Sequence, residues 1–223
     1  MAEYKLQFFK DWLGANNKHP LVLLKKDRVL YVRDGMSHVK PGNQKTAETL
    51  SHNSAWFGAE KIILNAGSNG ASVFRFRLSK KTKKGHCCKK RKASSRLLQE
   101  KSITLKPREN YLLRCNRVDI PPVGTAFMHT HKGPGIRYLL NGGFTVETAG
   151  KKSIICSGQS WFEAGSGPVL AFAPEHKPGQ FCRVMVLPRS LLGENSITYV
   201  KPEDKEKPKL QGYATFIDEH ITK

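Results

Sequence analysis

Three short segments of the sequence recur in the same order after about 107 residues, and this repeat limits the folds that the chain can adopt. Each segment is rich in β-branched and aromatic residues, as strands are. The spacing predicts two related β-units, at about residues 20–79 and 105–190. The matched positions are Tyr31 with Tyr138, Trp56 with Trp161 and Arg75 with Arg183, which are 107, 105 and 108 positions apart.

Short strand-like runs fill both units, and glycine, proline or asparagine interrupts them about every ten residues. This pattern is typical of an all-β sandwich or barrel. The main helix signal lies at Tyr4–Leu13, where apolar residues approach a helical spacing. We predict an N-terminal unit at 1–79, a linker at 80–104, a C-terminal unit at 105–190 and a C-terminal extension at 191–223.

A basic segment lies between the two units and accounts for much of the net charge of +20. Residues 80–96 contain nine lysines and arginines and no acidic residue, so the rest of the chain carries +11 (20 − 9). The segment has no hydrophobic period and no Phe, Tyr or Trp on which a base could stack. We interpret it as a solvated loop, with nucleic-acid binding as the less favoured alternative.

The spacing of the cysteines and the hydropathy of the sequence indicate where in the cell the protein is located. The five cysteines form no CxxC pair and no regular spacing, which predicts reduced thiols rather than a disulfide framework. The sequence has no run of about 18 apolar residues, which a membrane helix needs. We expect a cytoplasmic protein without a membrane partner.

Two histidines at positions i and i+2 form the first candidate for a functional site. His129 and His131 lie in a strand-like run with Phe127, and residues two apart in a strand share a face. The two imidazoles are therefore predicted to project side by side with the Phe127 ring, as two ligands of a metal would.

The residues around these histidines resemble the two motifs of the cupin family. The run from Gly124 to Gly142 is similar to the first motif, G-x5-HxH-x3,4-E-x6-G, and the run from Gly158 to Pro168 is similar to the second, G-x5-PxG-x2-H-x3-N. In cupins these motifs bind a metal inside a jelly-roll barrel. The resemblance implies an all-β fold with two cupin-type jelly-roll β-barrel units in one chain, as in bacterial two-unit cupins.

The sequence departs from the family motifs at two ligand positions. Gly135 stands where the first motif has a glutamate, and Pro168 stands where the second has a histidine. Glu163 is our candidate for a third ligand, with Glu147 and His176 as alternatives. Such a site would take a divalent metal, Fe, Mn, Ni or Zn. Because the N-terminal unit has no HxH pair, we expect it to be a metal-free copy.

Several of these residues are predicted to contact a metal or a small molecule. A buried guanidinium, such as that of Arg137 or Arg183, needs an anion, which is either an acidic side chain or a carboxylate or phosphate of a ligand. For the histidines and the aromatic residues, ordinary core packing is the alternative. The predicted metal ligands are His129, His131 and Glu163, and the predicted ligand-binding residues are Phe127, Arg137, Tyr138 and Trp161.

The preferred function is the binding of a small anionic molecule, through a divalent metal on the histidine pair if one is bound. The alternatives are a metal-dependent oxygenase or isomerase, a metal-free structural protein of two cupin units, and a nucleic-acid-associated protein. The sequence assigns no catalytic residue and no substrate, since cupins carry many functions on one barrel. A second copy of the chain, paired through an edge strand, is the expected protein partner.

Overall fold

Almost all of the regular structure is β-strand, as the sequence predicts. The computed structural model describes residues 2–17, 20–80, 94–107 and 109–221. Contacts divide the chain into two compact units, residues 1–108 with 221–223 and residues 109–220. Most of the basic segment, residues 81–93, lies outside the described residues.

The first unit forms one antiparallel sheet with the strand order β4-β3-β6-β1-β7, in which β2 pairs with β6 and β5 pairs with β3. A 3₁₀ turn covers Ala15–Asn17. The strands are β1 (Ala2–Leu13), β2 (Leu21–Leu23), β3 (Arg28–Pro41), β4 (Glu48–Leu50), β5 (Ser54–Gly58), β6 (Ile62–Lys80) and β7 (Ser94–Leu105).

The second unit forms an antiparallel sheet with the order β15-β9-β13-β10-β14-β8-β16, in which β11 and β12 also pair with β10. Further 3₁₀ turns cover Arg189–Leu191 and Pro202–Lys205. The strands are β8 (Tyr111–Ile120), β9 (Thr125–His131), β10 (Gly135–Thr148), β11 (Lys151–Cys156), β12 (Ser160–Glu163), β13 (Val169–Phe172), β14 (Gly179–Pro188), β15 (Ile197–Tyr199) and β16 (Gly212–His220).

The long strand β10 bends the second sheet around its core. Residues 135–142 of β10 pair with β14, whereas residues 145–148 pair with β13. The sheet therefore folds over on itself, and apolar side chains from its inner face form the core. That core includes Val118, Ile120, Leu139, Phe144, Val146, Trp161, Val169, Ala171 and Phe181.

The two units pair their strands in the same register. In each unit, one position of the long strand lies opposite a tryptophan on one neighbour and an arginine on the other. Corresponding positions in the two units are separated by the same intervals as the matched segments of the sequence repeat. The units therefore share their strand pairing as well as their sequence pattern. The residues are Leu30, Trp56 and Arg75 in the first unit and Arg137, Trp161 and Arg183 in the second.

The strands differ from the predicted boundaries in two places. Residues 94–104, which we assigned to the linker, belong to β7, which pairs with β1. The predicted C-terminal extension contributes β15 and β16, which pair with β9 and β8. In both cases the backbone groups along a strand edge take a partner from a distant segment, and composition gives little sign of such pairing.

The helix predicted at Tyr4–Leu13 is wrong, because these residues belong to β1. This strand lies between β6 and β7 and pairs with both. Leu6 and Phe8 are fully buried on one of its faces. Long-range pairing thus overrides a local spacing that was close to helical.

Cys115 and Cys182 are buried thiols, and Cys156 is an exposed thiol. No helix in the described part of the chain is long and apolar enough to cross a membrane.

A buried ion pair joins β1 and β6 in the first unit. Arg75 donates to Asp11 from Nε at 2.6 Å and from Nη2 at 2.9 Å. The Asp11 side chain is 1% exposed and that of Arg75 is 6% exposed. Nη2 of Arg75 also donates to the Ser95 hydroxyl at 2.8 Å, and the guanidinium lies over the Phe9 ring. Both charges are therefore neutralised within the unit.

We predict that Arg75→Met lowers the free energy of unfolding by about 3–5 kcal/mol, because it leaves the Asp11 carboxylate buried and unpaired. Urea unfolding followed by circular dichroism measures this change. The double variant Arg75→Met/Asp11→Leu removes both charges and is expected to recover most of the loss. A loss below about 1 kcal/mol in the single variant would contradict the assignment.

Candidate functional site

A cavity of about 40 Å³ lies inside the second unit. A site of this size holds a few water molecules or a ligand of a few non-hydrogen atoms. Four of its lining residues, His129, His131, Arg137 and Glu163, were selected from the sequence. The other lining residues are Val118, Ile120, Ala126, Phe144, Val169, Ala171, Phe181, Arg183, Ile197, Tyr199, Gln211 and Tyr213.

Strand pairing fixes the direction of the two histidines. In β9, His129 pairs with Tyr199 and His131 pairs with Ile197 of β15. The intervening residue points the other way, so both imidazoles face the cavity. Each histidine is 6% exposed, and their Nε2 atoms lie 3.2 Å apart. The sequence prediction that the imidazoles project together matches this geometry.

The carboxylate of Glu163 is the centre of the polar contacts in the cavity. Its Oε1 accepts a hydrogen bond from Trp161 Nε1 at 2.8 Å. Its Oε2 lies 2.6 Å from Arg137 Nη2 and 3.0 Å from His131 Nε2. Arg137 also donates from Nη1 to the Gly135 carbonyl at 2.8 Å. Oε1 therefore accepts a hydrogen bond, whereas Oε2 lies within ion-pair distance of Arg137 and His131.

Both histidines are neutral at pH 7. Burial lowers the pKa of His129, and burial lowers the pKa of His131 to about 3. The Nδ1 of His129 lies 2.7 Å from the Phe127 carbonyl, which can only accept, so Nδ1 carries the proton and Nε2 is an acceptor. The Nε2 of His131 faces this acceptor and the Glu163 carboxylate, so it carries the proton of that ring.

Glu163 stays ionised despite its burial. Burial alone would raise the pKa of this carboxyl, but the Arg137 guanidinium and the hydrogen bonds from His131 and Trp161 outweigh that effect. The pKa of Glu163 is therefore held well below its usual range.

Arg183 supplies a second guanidinium to the cavity. This residue is 8% exposed, and its Nε has no hydrogen-bond partner among the described residues. The guanidinium carbon lies 5.6 Å from the centre of the Tyr213 ring. Burial, followed by the positive charge of Arg137, lowers the pKa of Arg183 to about 10, so the group remains charged at pH 7. The lining thus holds two cations and one anion, Glu163, and has a net charge of +1.

In the first unit, a carboxylate neutralises the arginine that corresponds to Arg183. By strand register, Arg183 corresponds to Arg75, and Val118 corresponds to Asp11. Asp11 forms the ion pair with Arg75, whereas the valine at position 118 offers no charge. The second unit therefore keeps the arginine of the repeat but lacks its carboxylate.

The first unit also lacks the polar groups of the cavity. By the same register, it has Leu23, Leu30 and Gly58 in place of His129, Arg137 and Glu163. A Cβ at Gly58 would lie 2.2 Å from Cη2 of Trp56, so the indole occupies the space beside this glycine. Apolar packing fills this part of the first unit.

The position of Glu163 explains the missing glutamate of the first motif. Gly135, which stands at the glutamate position, pairs directly with Glu163 across β10 and β12. A Cβ at Gly135 would meet the Val184 carbonyl and Met185 Cγ, both at 2.8 Å. A carboxylate therefore enters the cavity from the neighbouring strand.

Two predicted ligand-binding residues lie away from the cavity lining. The register of β9 against β13 shifts between the pairs His129–Val169 and Ala126–Ala171, which indicates one extra residue in β9. Because of this bulge, Phe127 does not share the inward face of His129, and its ring lies 5.0 Å from Lys207 Nζ. Tyr138 follows Arg137 in β10 and points to the opposite face.

Trp161, another predicted ligand-binding residue, lies outside the cavity lining and holds Glu163 in place. The indole of Trp161 packs between the Phe144 and Phe181 rings and positions Glu163 through its hydrogen bond.

The two alternative metal ligands, Glu147 and His176, are not among the residues that line the cavity. Glu147 lies 3.4 Å from Lys152 Nζ, and the His176 side chain is 87% exposed.

The donor set does not fit a divalent metal bound by His129, His131 and Glu163. The two imidazoles approach each other as ligands would, but Trp161 donates to one oxygen of Glu163 and the Arg137 guanidinium lies 2.6 Å from the other. A divalent cation would also lie close to the buried guanidinium of Arg137. Among the described residues, no group of three or more His, Cys, Asp and Glu side chains is arranged to hold a metal ion.

Sequence reasoning missed the residues that complete the cavity. Arg183 was named from the sequence as an arginine that needs an anion if it is buried, but its lack of a carboxylate partner depends on the strand register. Tyr199, Gln211 and Tyr213 come from the C-terminal segment, which carries no motif. A comparison of Val118 with Asp11 in the aligned repeats is the signal that could have identified the unpaired arginine.

Comparisons with known proteins identify the fold. No family model matches the chain, and no curated protein matches it by sequence. A tryptophan-to-phenylalanine variant of Bacillus subtilis oxalate decarboxylase matches with a TM-score of 0.62 and 9% identity, over 91% of this chain and 74% of that chain. A deletion mutant of the same enzyme matches with a TM-score of 0.61 and 8% identity, over 88% and 71%.

A cupin 2 conserved barrel domain protein from Leptotrichia buccalis matches with a TM-score of 0.49 and 14% identity, over 83% of this chain and 84% of that chain. The chain has an all-β cupin fold, as the sequence predicts. At these identities the likeness establishes the fold and not the chemistry.

We predict that neutral His131 makes the folded protein sensitive to acid. The unfolded chain binds a proton at this histidine below pH about 6.5, whereas the folded chain binds it only near pH 3. Stability therefore falls as the pH drops from about 6.5 towards 3. In His131→Gln, the loss of unfolding free energy between pH 7 and pH 5 should be about 2 kcal/mol smaller than in the wild type.

The matched control is His176→Gln, because this histidine belongs to the same unit and its side chain is exposed. Urea unfolding at both pH values compares the three proteins. The control should lose as much stability as the wild type. Equal losses in all three proteins would contradict a neutral buried His131.

Proposed function

We propose that the cavity of the second unit binds a small carboxylate anion and that Arg183 is its main recognition group. The observation that carries this proposal is the buried guanidinium of Arg183, whose Nε has no hydrogen-bond partner among the described residues. A planar guanidinium suits bidentate contact with a carboxylate.

The charge of the lining supports an anionic ligand. An uncompensated buried charge costs several kcal/mol, and Glu163 compensates only one of the two guanidiniums. Bound carboxylate would bring the net charge of the lining to zero. The histidines do not oppose it, since both are neutral at pH 7.

The repeat supports the same proposal independently. In the first unit, the carboxylate of Asp11 lies against the arginine that corresponds to Arg183. Val118 leaves this position without a charge in the second unit. We infer that a ligand carboxylate takes the role that Asp11 has in the first unit.

The size of the cavity limits the ligand. A volume of about 40 Å³ suits a molecule with the size of formate, acetate or a slightly larger acid. Larger anions would need the segment with Tyr199 and Tyr213 to move. Lys209 lies over the ring of Tyr199, which lines the cavity, so its positive charge would favour the approach of an anion.

We also infer that the chain is a two-unit cupin whose first unit has a structural role. The shared register of the two units and the apolar residues Leu23 and Leu30 in the first unit support this interpretation. A dimer through an edge strand and a cytoplasmic location stay predictions.

A second candidate is a metal-dependent reaction, which the resemblance to the cupin motifs implies. The 3.2 Å approach of the two Nε2 atoms favours a metal on the histidine pair. The occupied oxygens of Glu163 and the second guanidinium favour the anion site instead. Metal analysis of protein purified without chelators tests this candidate, and stoichiometric metal that is lost in His129→Gln/His131→Gln would support it.

We predict that the wild-type protein binds acetate and that Arg183→Met abolishes the binding. Loss of one partner of a buried charged pair costs about 2–5 kcal/mol, which weakens binding at least about thirtyfold. Isothermal titration calorimetry with sodium acetate, at constant ionic strength after chelator treatment, measures it. The variant should be as stable as the wild type or more stable, because it removes an unpaired buried charge.

Val118→Asp is the second test, since it rebuilds the Asp11–Arg75 pair of the first unit. The new carboxylate should neutralise Arg183 and prevent acetate binding, whereas Val118→Leu changes volume without charge and should retain more of the binding. Arg117→Met is the matched control for loss of an arginine, because Arg117 pairs with Asp119 and does not line the cavity. Equal acetate binding in all these variants would overturn the proposal.

A further inference from the structure

The amide of Gln211 lines the same cavity and is held in one orientation. Its Nε2 donates to the Thr125 carbonyl at 2.8 Å. A carbonyl can only accept, so the nitrogen must face Thr125. The amide oxygen, Oε1, is consequently the other end of the group, and it is buried without a hydrogen-bond partner among the described residues.

Outside the cluster around Glu163, the lining has two polar atoms without a hydrogen-bond partner among the described residues. Arg183 offers a charged donor at Nε, and Gln211 offers a neutral acceptor at Oε1. Within the cluster, His131 Nδ1, Arg137 Nη2 and Glu163 Oε2 also make no hydrogen bond to a described residue. A buried polar group without a partner destabilises the protein, so a ligand that satisfies both groups binds more tightly than one that satisfies only the arginine. Acetate and other plain carboxylates carry no donor for Gln211.

We propose that the ligand is a small hydroxycarboxylate, with its carboxylate on Arg183 and its hydroxyl donating to Gln211 Oε1. This inference rests on the proposed function and names the chemical class of its ligand. A hydroxyl fits better than an amine, because an ammonium group would add a third cation beside Arg137 and Arg183. Glycolate is the smallest member of this class, and its few atoms suit the cavity.

The preference for a hydroxyl should be visible as a ratio of affinities. The neutral hydrogen bond from the hydroxyl strengthens binding, and the relief of an unsatisfied buried acceptor adds to this gain. We expect glycolate to bind about tenfold more tightly than acetate. Propionate and lactate form a second pair that differs by one hydroxyl.

The test is calorimetric titration of acetate and glycolate into the wild type and into Gln211→Met. Methionine keeps the length of the side chain but has no amide oxygen. The variant should bind the two acids with similar affinity, because it lacks the acceptor that distinguishes them. A merely structural role of Gln211 would weaken both acids equally and leave their ratio unchanged.

Gln180→Met is the matched control. Gln180 donates to Asp119 and does not line the cavity, so this variant should retain the preference for glycolate. Thermal unfolding of both variants verifies that they fold.

The outcomes separate this inference from the proposed function. If the wild type binds both acids equally, the carboxylate site stands and the hydroxyl inference is overturned. If the preference persists in Gln211→Met, the acceptor assignment is overturned. If the wild type binds neither acid, the proposed function fails and this inference fails with it.

Discussion

The polar interior of the second unit depends on the carboxylate of Glu163. It accepts from Trp161 on one oxygen and lies against Arg137 and His131 on the other. These contacts keep the carboxyl ionised and allow a guanidinium and two neutral imidazoles to share a buried space. One carboxylate neutralises one guanidinium, so Arg183 is left as the surplus charge. The proposed function follows from this imbalance rather than from a family motif.

The two units share one strand arrangement but differ in whether a carboxylate of the chain neutralises the buried arginine. In the first unit, Asp11 neutralises Arg75 inside the chain, and leucines fill the positions that correspond to the polar residues of the cavity. In the second unit, Val118 replaces the carboxylate, and a cavity remains beside the arginine. A retained arginine with a lost partner is costly to stability unless another anion compensates it. The comparison within one chain thus serves as an internal reference for the site.

Much of the fold could be predicted from the sequence, because the repeat and the alternation of short strands are local patterns. The structure places His129, His131 and Glu163 around one cavity; the histidines were selected from their strand spacing and Glu163 from its place in the second motif. Phe127 was misplaced because a bulge in β9 changes which residues share a face, and periodicity does not reveal a bulge. The position of Gln211 in the cavity lining could not be predicted, because this residue lies 80 or more positions away from the histidine motif along the chain. Such contacts depend on strand register and chain path, which residue spacing alone does not encode.

The most direct test of the central claim is NMR of the arginine side chains in ¹⁵N-arginine-labelled protein titrated with acetate. Arg183→Met and Arg75→Met assign the two Nε–H signals. Acetate should shift the Arg183 signal, because Nε gains a charged acceptor, and should leave the Arg75 signal in place, because Asp11 already accepts from that Nε. An Arg183 signal that does not move at saturating acetate would contradict the account.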